Sequence, residues 1–120
     1  MEKMKGDLFS LVPLLEMARE AELHKLATIN RDIGSLEQEL RSLRADVRFT
    51  AQNASDCYGV EIQSRDRWVA WVENRCQALS SDLANLAAAR ETQKATLSIA
   101  IGRAEVATEL EKNIGKSARK

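Results

Sequence analysis

Aromatic side chains and histidine are scarce in this sequence. Phe, Trp and Tyr make up 4% of the 120 residues, and His24 is the one histidine. A single imidazole excludes a multi-histidine metal site, and no glycine-rich loop that could cradle a phosphate is present. Neither cysteine has a histidine near enough to act as the base of a catalytic triad. We therefore predict a protein that is not an enzyme, with no catalytic residue, no cofactor and no metal.

Excess charge and long apolar runs are also lacking. The 18 basic and 18 acidic residues cancel, so no global field would attract nucleic acid or an anionic membrane. No apolar run approaches the roughly 20 residues that span a bilayer, and no signal-peptide pattern is present. Cys57 and Cys76 lack metal-ligand spacing and are expected to be free thiols. These absences predict a cytoplasmic location and no nucleic-acid partner.

A strict alternation of apolar residues, three and four positions apart, dominates the first half of the chain. It comprises Leu26, Ile29, Ile33, Leu36, Leu40, Leu43 and Val47. The spacing predicts a narrow apolar seam on an α-helix that needs a partner helix to cover it. We expect this helix from about 11 to about 48. Ser10 is the predicted N-cap, which places Pro13 in the first turn, where its missing N–H costs little.

A second seam at the same spacing follows a stretch without periodicity. It comprises Trp68, Val72, Cys76, Leu79, Leu83, Leu86, Arg90, Gln93, Leu97, Ile101 and Ala104. We expect helix two from about 65 to about 114, with Ser64 as N-cap, Asp66 in its first turn and Gly115 as C-cap. Turn-forming residues between about 50 and 64 predict a bend, and residues 115–120 form a basic tail. The chain is thus predicted to be a single domain.

The two seams match each other if the chain folds back on itself. Val47 then lies beside Trp68, and the residue numbers of paired positions add to about 115. Extended backwards at the same spacing, the first seam reads Val12, Leu15, Arg19 and Glu22 before Leu26, so two polar residues interrupt it. The register places Glu22 beside Gln93, so this interruption and the one at Arg90 and Gln93 fall at one level. We predict an all-α fold, a long antiparallel two-helix coiled-coil hairpin, in which Glu22 contacts Arg90 or Gln93 and this polar layer specifies the register.

Two other arrangements are open at this point. Helix one could change register slightly by using Ala18, Ala21 and Leu23 in place of the polar residues. A parallel homodimer of each helix would also satisfy the heptads, although it would leave the coincidence of the polar residues unexplained.

Two tryptophans stand at the start of helix two. If Trp68 packs in the seam, Trp71 lies on its flank and is partly exposed. One interpretation is that both rings close the end of the hairpin core. The other is a partner-binding patch, because tryptophan beside arginine is enriched at interface hot spots.

Arg67, Trp68 and Trp71, with the heptads around them, stand at the start of the second of two long predicted helices joined by a loop, and a charged tail follows. In this arrangement the chain resembles the FliJ family of flagellar export proteins and, next to it, the stalk components of type III secretion. The resemblance implies a non-enzymatic stalk that enters the ring of the export ATPase, promotes its assembly, contacts the export gate and can handle export chaperones. Such a protein is peripherally associated with an inner-membrane export complex.

Mapped onto this chain, the resemblance assigns a role to each end of the hairpin. The free ends, about 8–22 and 97–120, would enter the ATPase ring, with Lys112 and Lys116 among the partner-binding residues. The face around Trp71 and Asn74 would be offered to the gate.

Two further functions compete with the export stalk. The first is a coiled-coil scaffold or adaptor, which could form a four-helix homodimer through Val69, Ile99, Val106 and Leu110. The second is a small helical export chaperone that binds amphipathic segments of its clients.

Overall fold

The computed structural model contains two long helices that pack antiparallel. Helix α1 spans Glu2–Gln52 and helix α2 spans Val60–Ala118. The structure describes the backbone of residues 2–52 and 60–118 and the side chains of residues 6–52 and 61–117, and within these ranges every residue is helical. The predicted fold class, an antiparallel two-helix hairpin, is confirmed.

Helix α1 begins well before the predicted start. Ser10 is not an N-cap, because it lies inside the helix and its hydroxyl donates to the Gly6 carbonyl at 3.1 Å. Pro13 is an interior residue and not a first-turn residue. Proline removes one backbone hydrogen bond there, but the seam continues on both sides of it: Val12 is buried before it and Leu15 is half-buried after it. Packing against α2 therefore holds the helix where local preference alone would end it.

Helix α2 is also longer than predicted at both ends. Ser64 is not its N-cap and Asp66 is not in its first turn, because α2 begins at Val60 and Glu61 is the acid of that turn. Gly115 is not a C-cap, because the helix continues to Ala118. The parts of the predicted bend at residues 50–52 and 60–64 are helical, and residues 53–59, with Cys57, lie outside the described residues, as do residues 119 and 120 of the basic tail.

The described chain packs as two compact units. The terminal unit combines Met1–Ile29 with Ala89–Lys120, and the central unit is Asn30–Ala88. In the central unit, Ile33 and Leu40 of α1 and Val72 and Leu79 of α2 are buried. In the terminal unit the buried residues are Val12, Leu97, Ala104 and Ala107. The buried residues of the central unit, like Leu97 and Ala104, belong to the predicted seams, and Val12 and Ala107 continue these seams toward the helix ends.

No helix in the described part of the chain is both long and apolar enough to cross a membrane.

Candidate partner-binding surfaces

The predicted contact between the two polar interruptions is present in the terminal unit. The Gln93 side-chain amide donates to the backbone carbonyl of Glu22 at 2.9 Å and also to its carboxylate. Lys25 donates to the other carboxylate oxygen at 3.1 Å. The hydrogen bond from Gln93 and, after it, that from Lys25 hold the pKa of the Glu22 carboxyl below its ordinary value, against a smaller opposing effect of burial.

The polar layer is narrower than predicted. Arg19 is half-buried and its nearest acid is its neighbour Glu20, at 3.6 Å. Arg90 Nε lies 4.0 Å from a carboxylate oxygen of Glu91 and is buried without a hydrogen-bond partner among the described residues. Both arginines thus lie beside acids of their own helix, and Glu22 with Gln93 makes the interhelical contact.

The central unit has an interhelical ion pair that the sequence analysis did not identify. Arg75 donates through Nε and one terminal nitrogen to the same oxygen of Glu39, at 3.2 and 3.0 Å. The residue numbers add to 114 in this pair and to 115 in Glu22–Gln93. One interhelical contact in each unit therefore agrees independently with the predicted register. The sequence does contain a signal for this ion pair, because Glu39 and Arg75 have opposite charges and each flanks a seam residue on one of the two facing helices.

Trp68 and Trp71 have different environments in the central unit. Trp68 is half-buried in the seam, whereas the Trp71 side chain is 59% exposed and Asn74 is exposed. Arg67 and Arg75 lie one helical turn before and after Trp71, so the four residues share a face. We call Arg67, Trp71, Asn74 and Arg75 the Trp71 surface. Only one of the two rings therefore contributes to the core.

Exposed apolar side chains concentrate in the terminal unit. Among the described residues, eight of the eleven large apolar side chains that are exposed belong to it. They are Phe9, Leu11, Leu14, Met17, Leu23, Ile99, Val106 and Leu110. Val69, which we expected on an apolar flank with the last three, is half-buried in the central unit.

Part of this apolar surface forms a shallow groove between the helices, with a volume of about 540 Å³. Its apolar walls are Leu8, Leu11 and Leu15 of α1 and Ile99, Val106 and Leu110 of α2. We call it the apolar groove. The two predicted partner-binding lysines, Lys112 and Lys116, are exposed further along α2.

Metal-ligating side chains do not cluster in the part of the chain that the structure describes. No three His, Cys, Asp or Glu side chains among the described residues lie close enough together to hold a metal ion. Cys76 is a free, half-buried thiol in the central unit.

No protein-family model, curated protein or solved structure matches this chain. The structure itself defines the class of protein: an antiparallel helical hairpin with a coiled-coil seam and exposed side surfaces.

Proposed function

We propose that this chain is a non-enzymatic coupling protein that binds protein partners through a different surface on each of its two units. In its specific form, the proposal is a FliJ-like stalk of a flagellar type III export apparatus. The terminal unit binds the export ATPase and promotes ring assembly, while the Trp71 surface binds the export gate. The protein then resides in the cytoplasm, held at an inner-membrane complex by these partners and able to receive export chaperones.

The observation that carries the proposal is the contrast between the two exposed surfaces. The terminal unit offers aliphatic side chains around the apolar groove, with Lys112 and Lys116 beyond it. The central unit offers one exposed tryptophan with flanking arginines. Exposed apolar patches of this kind typically mark interaction sites, and tryptophan and arginine are the residues most enriched at hot spots. Two chemically different surfaces favour two different partners.

Support for the export apparatus in particular comes from the sequence resemblance. Arg67, Trp68 and Trp71 lie about two to three turns into the second helix of an antiparallel hairpin, in its first third, and the resemblance to the FliJ family rests on these residues and the heptads around them. Trp71 is also the ring of the pair that is free to meet a partner.

The direct experiment is a titration of the full chain into the export ATPase of the same organism, following hydrolysis rate and ring formation together. We expect stimulation of hydrolysis with ring assembly. The double variant Lys112→Glu, Lys116→Glu and the variant Val106→Ser should weaken both effects, because they change the terminal unit. Trp71→Ala is the matched control and should leave both unchanged while it weakens binding to the gate. No stimulation by the unaltered chain at about 10 μM, well above typical affinities of stable complexes, would contradict the export function.

A homodimeric scaffold is the second candidate. The exposed side chains of Ile99, Val106 and Leu110 recur at helical spacing along one face of α2, as expected of a helix that packs in a four-helix bundle. Sedimentation equilibrium of the full chain tests it: a stable dimer that Val106→Ser dissociates would favour the scaffold over the stalk.

A further inference from the structure

The apolar groove has the dimensions of a docking site for one helix. Its α2 wall runs from Ile99 to Leu110, which is roughly 17 Å at about 1.5 Å per residue, or three helical turns. Its α1 wall, from Leu8 to Leu15, supplies leucines at three- and four-residue spacing. A third helix can place its side-chain ridges between two antiparallel helices in this way, as in helix-in-groove recognition.

Arg103 is the one charged residue that lines the groove in the described structure. Its side chain is exposed and forms no ion pair or hydrogen bond with any described residue. An arginine surrounded by aliphatic side chains is partly desolvated when a partner covers it, so an apolar partner without a carboxylate would leave a charge unpaired. The occupant that this charge favours is therefore apolar with one acidic side chain.

A second copy of this chain meets that requirement less well. None of the side chains that line the groove is acidic, and the exposed acid Asp7, one helical turn before Leu11, is not among them. Two copies that met groove to groove would therefore cover two arginines with lining residues that include no carboxylate, which disfavours the homodimer.

Gly102 also lines the groove, in the interior of α2. A Cβ atom at this position would meet no atom within 4 Å, so no contact inside the chain requires glycine there. Glycine in a helix interior lowers stability relative to alanine. A partner backbone that approaches closely at this point would account for its presence.

We propose that the apolar groove binds an amphipathic helix of another protein, whose apolar face carries one carboxylate that pairs with Arg103. The binding mode follows from the groove itself and does not depend on a role in export. It would apply equally to an export partner, a chaperone client or another protein with such a helix.

The test uses the full chain and a fluorescein-labelled synthetic helix of about 18 residues, with leucines at i, i+3, i+4 and i+7 and one glutamate on the same face. Two matched peptides carry glutamine or lysine at that position. We expect anisotropy titrations to show the glutamate peptide binding about threefold to tenfold more tightly than the glutamine peptide. Arg103→Glu should reverse the order, so that the lysine peptide binds best. Leu23→Ser, an exposed leucine of the terminal unit outside the groove, is the control and should change nothing.

A pair of glycine variants separates partner binding from chain stability. Gly34 and Gly102 are both interior helical glycines with open space around a Cβ atom, but only Gly102 lines the groove. Gly34→Ala and Gly102→Ala should each raise the melting temperature, whereas Gly102→Ala alone should weaken binding of the glutamate peptide, by about threefold or more.

Three results would overturn the proposal. The first is no binding of the glutamate peptide at up to about 100 μM, which is weaker than a specific complex needs. The second is equal affinity for all three peptides, which would mean apolar adhesion without recognition by Arg103. The third is a stable dimer of the chain itself that Val106→Ser dissociates, which would make the occupant a second copy.

Discussion

The central unit and the terminal unit differ in the size of the side chains that they bury in the seam and in the number of apolar side chains that they leave exposed. The central unit buries large side chains, with Val72 and Leu79 fully inaccessible, and exposes three large apolar residues among those described. The terminal unit buries Ala104 and Ala107 in its seam, includes the Glu22–Gln93 contact, and exposes eight. Buried apolar area stabilises by about 25 cal/mol per Å², so the central unit contains the larger share of the stabilising core. The terminal unit retains apolar surface that a partner can cover.

The largest expected effect is the loss of unfolding free energy when a core side chain of the central unit is truncated, and it tests whether this unit is the main source of stability. Leu79→Ala should lower the free energy of unfolding by about 2–5 kcal/mol, because it removes a fully buried side chain and leaves a cavity. Leu97→Ala, at the buried leucine of the terminal unit's seam, should cost less, since Leu97 is less completely buried. Urea unfolding followed by circular dichroism measures both. Equal losses would remove the distinction between the units.

An intermediate effect concerns the polar contact of the terminal unit. Gln93→Ala removes the first cause of the lowered Glu22 pKa, so the pKa should rise toward its ordinary value, which a carboxyl NMR titration measures. A carboxyl with a lowered folded-state pKa adds stability above its unfolded-state pKa, and this stability is lost as the pH falls through the folded-state pKa.

The same linkage gives a test by unfolding. The difference in stability between the unaltered chain and Gln93→Ala should have a component that is present at neutral pH and lost in acid. Gln77→Ala, at an exposed glutamine of the same helix as Gln93, is the control and should lack it. A difference that is constant across the pH range would show that the hydrogen bond contributes nothing through the Glu22 charge.

The smallest effect concerns the ion pair of the central unit. Glu39 and Arg75 are each about 42% exposed, so Glu39→Gln should cost about 0.2–1 kcal/mol at low ionic strength and less in about 1 M salt. Unfolding in urea at both salt concentrations measures this loss. Glu37→Gln, at an exposed neighbour without such a contact among the described residues, is the matched variant. A loss above about 2 kcal/mol would mean that the pair is screened from solvent more than its exposure indicates.

The sequence predicted the fold and register because the heptad pattern is redundant. Each seam residue independently indicates the same apolar face of its helix. The coincidence of the polar interruptions then selects one antiparallel register. The contact of Glu22 with Gln93 followed from that register alone. The helix ends were wrong at Ser10, Ser64 and Gly115, because capping and proline preferences are worth about 1–3 kcal/mol and continued packing of the seam can exceed them.

The candidate surfaces were predicted only in part. Exposure of Trp71 follows from its place beside the seam, so the heptad indicated it. The apolar groove requires residues of both helices at once, including Leu11, Ile99 and Val106, and its shape depends on how closely α1 and α2 approach. Arg19 and Arg90 were expected to join the polar layer, but each lies beside an acid of its own helix. The sequence does not show this, because a long arginine side chain can reach several acids and local geometry decides which one it contacts.

The sequence by itself determined that the chain forms two helices, which face of each is apolar, and which residues of one helix oppose those of the other. These properties follow from spacing along one chain, which the 3.6-residue helical period converts into geometry. Only the tertiary structure decided where the helices begin and end, how the stabilising core divides between the two units, and that a groove remains at the terminal unit. The helix ends depend on whether packing of the seam continues beyond a local stop signal. The division of the core and the presence of the groove depend on the sizes of the side chains that meet across the seam. Small residues such as Ala104 and Ala107 bury little area, and the larger apolar residues beside them stay exposed.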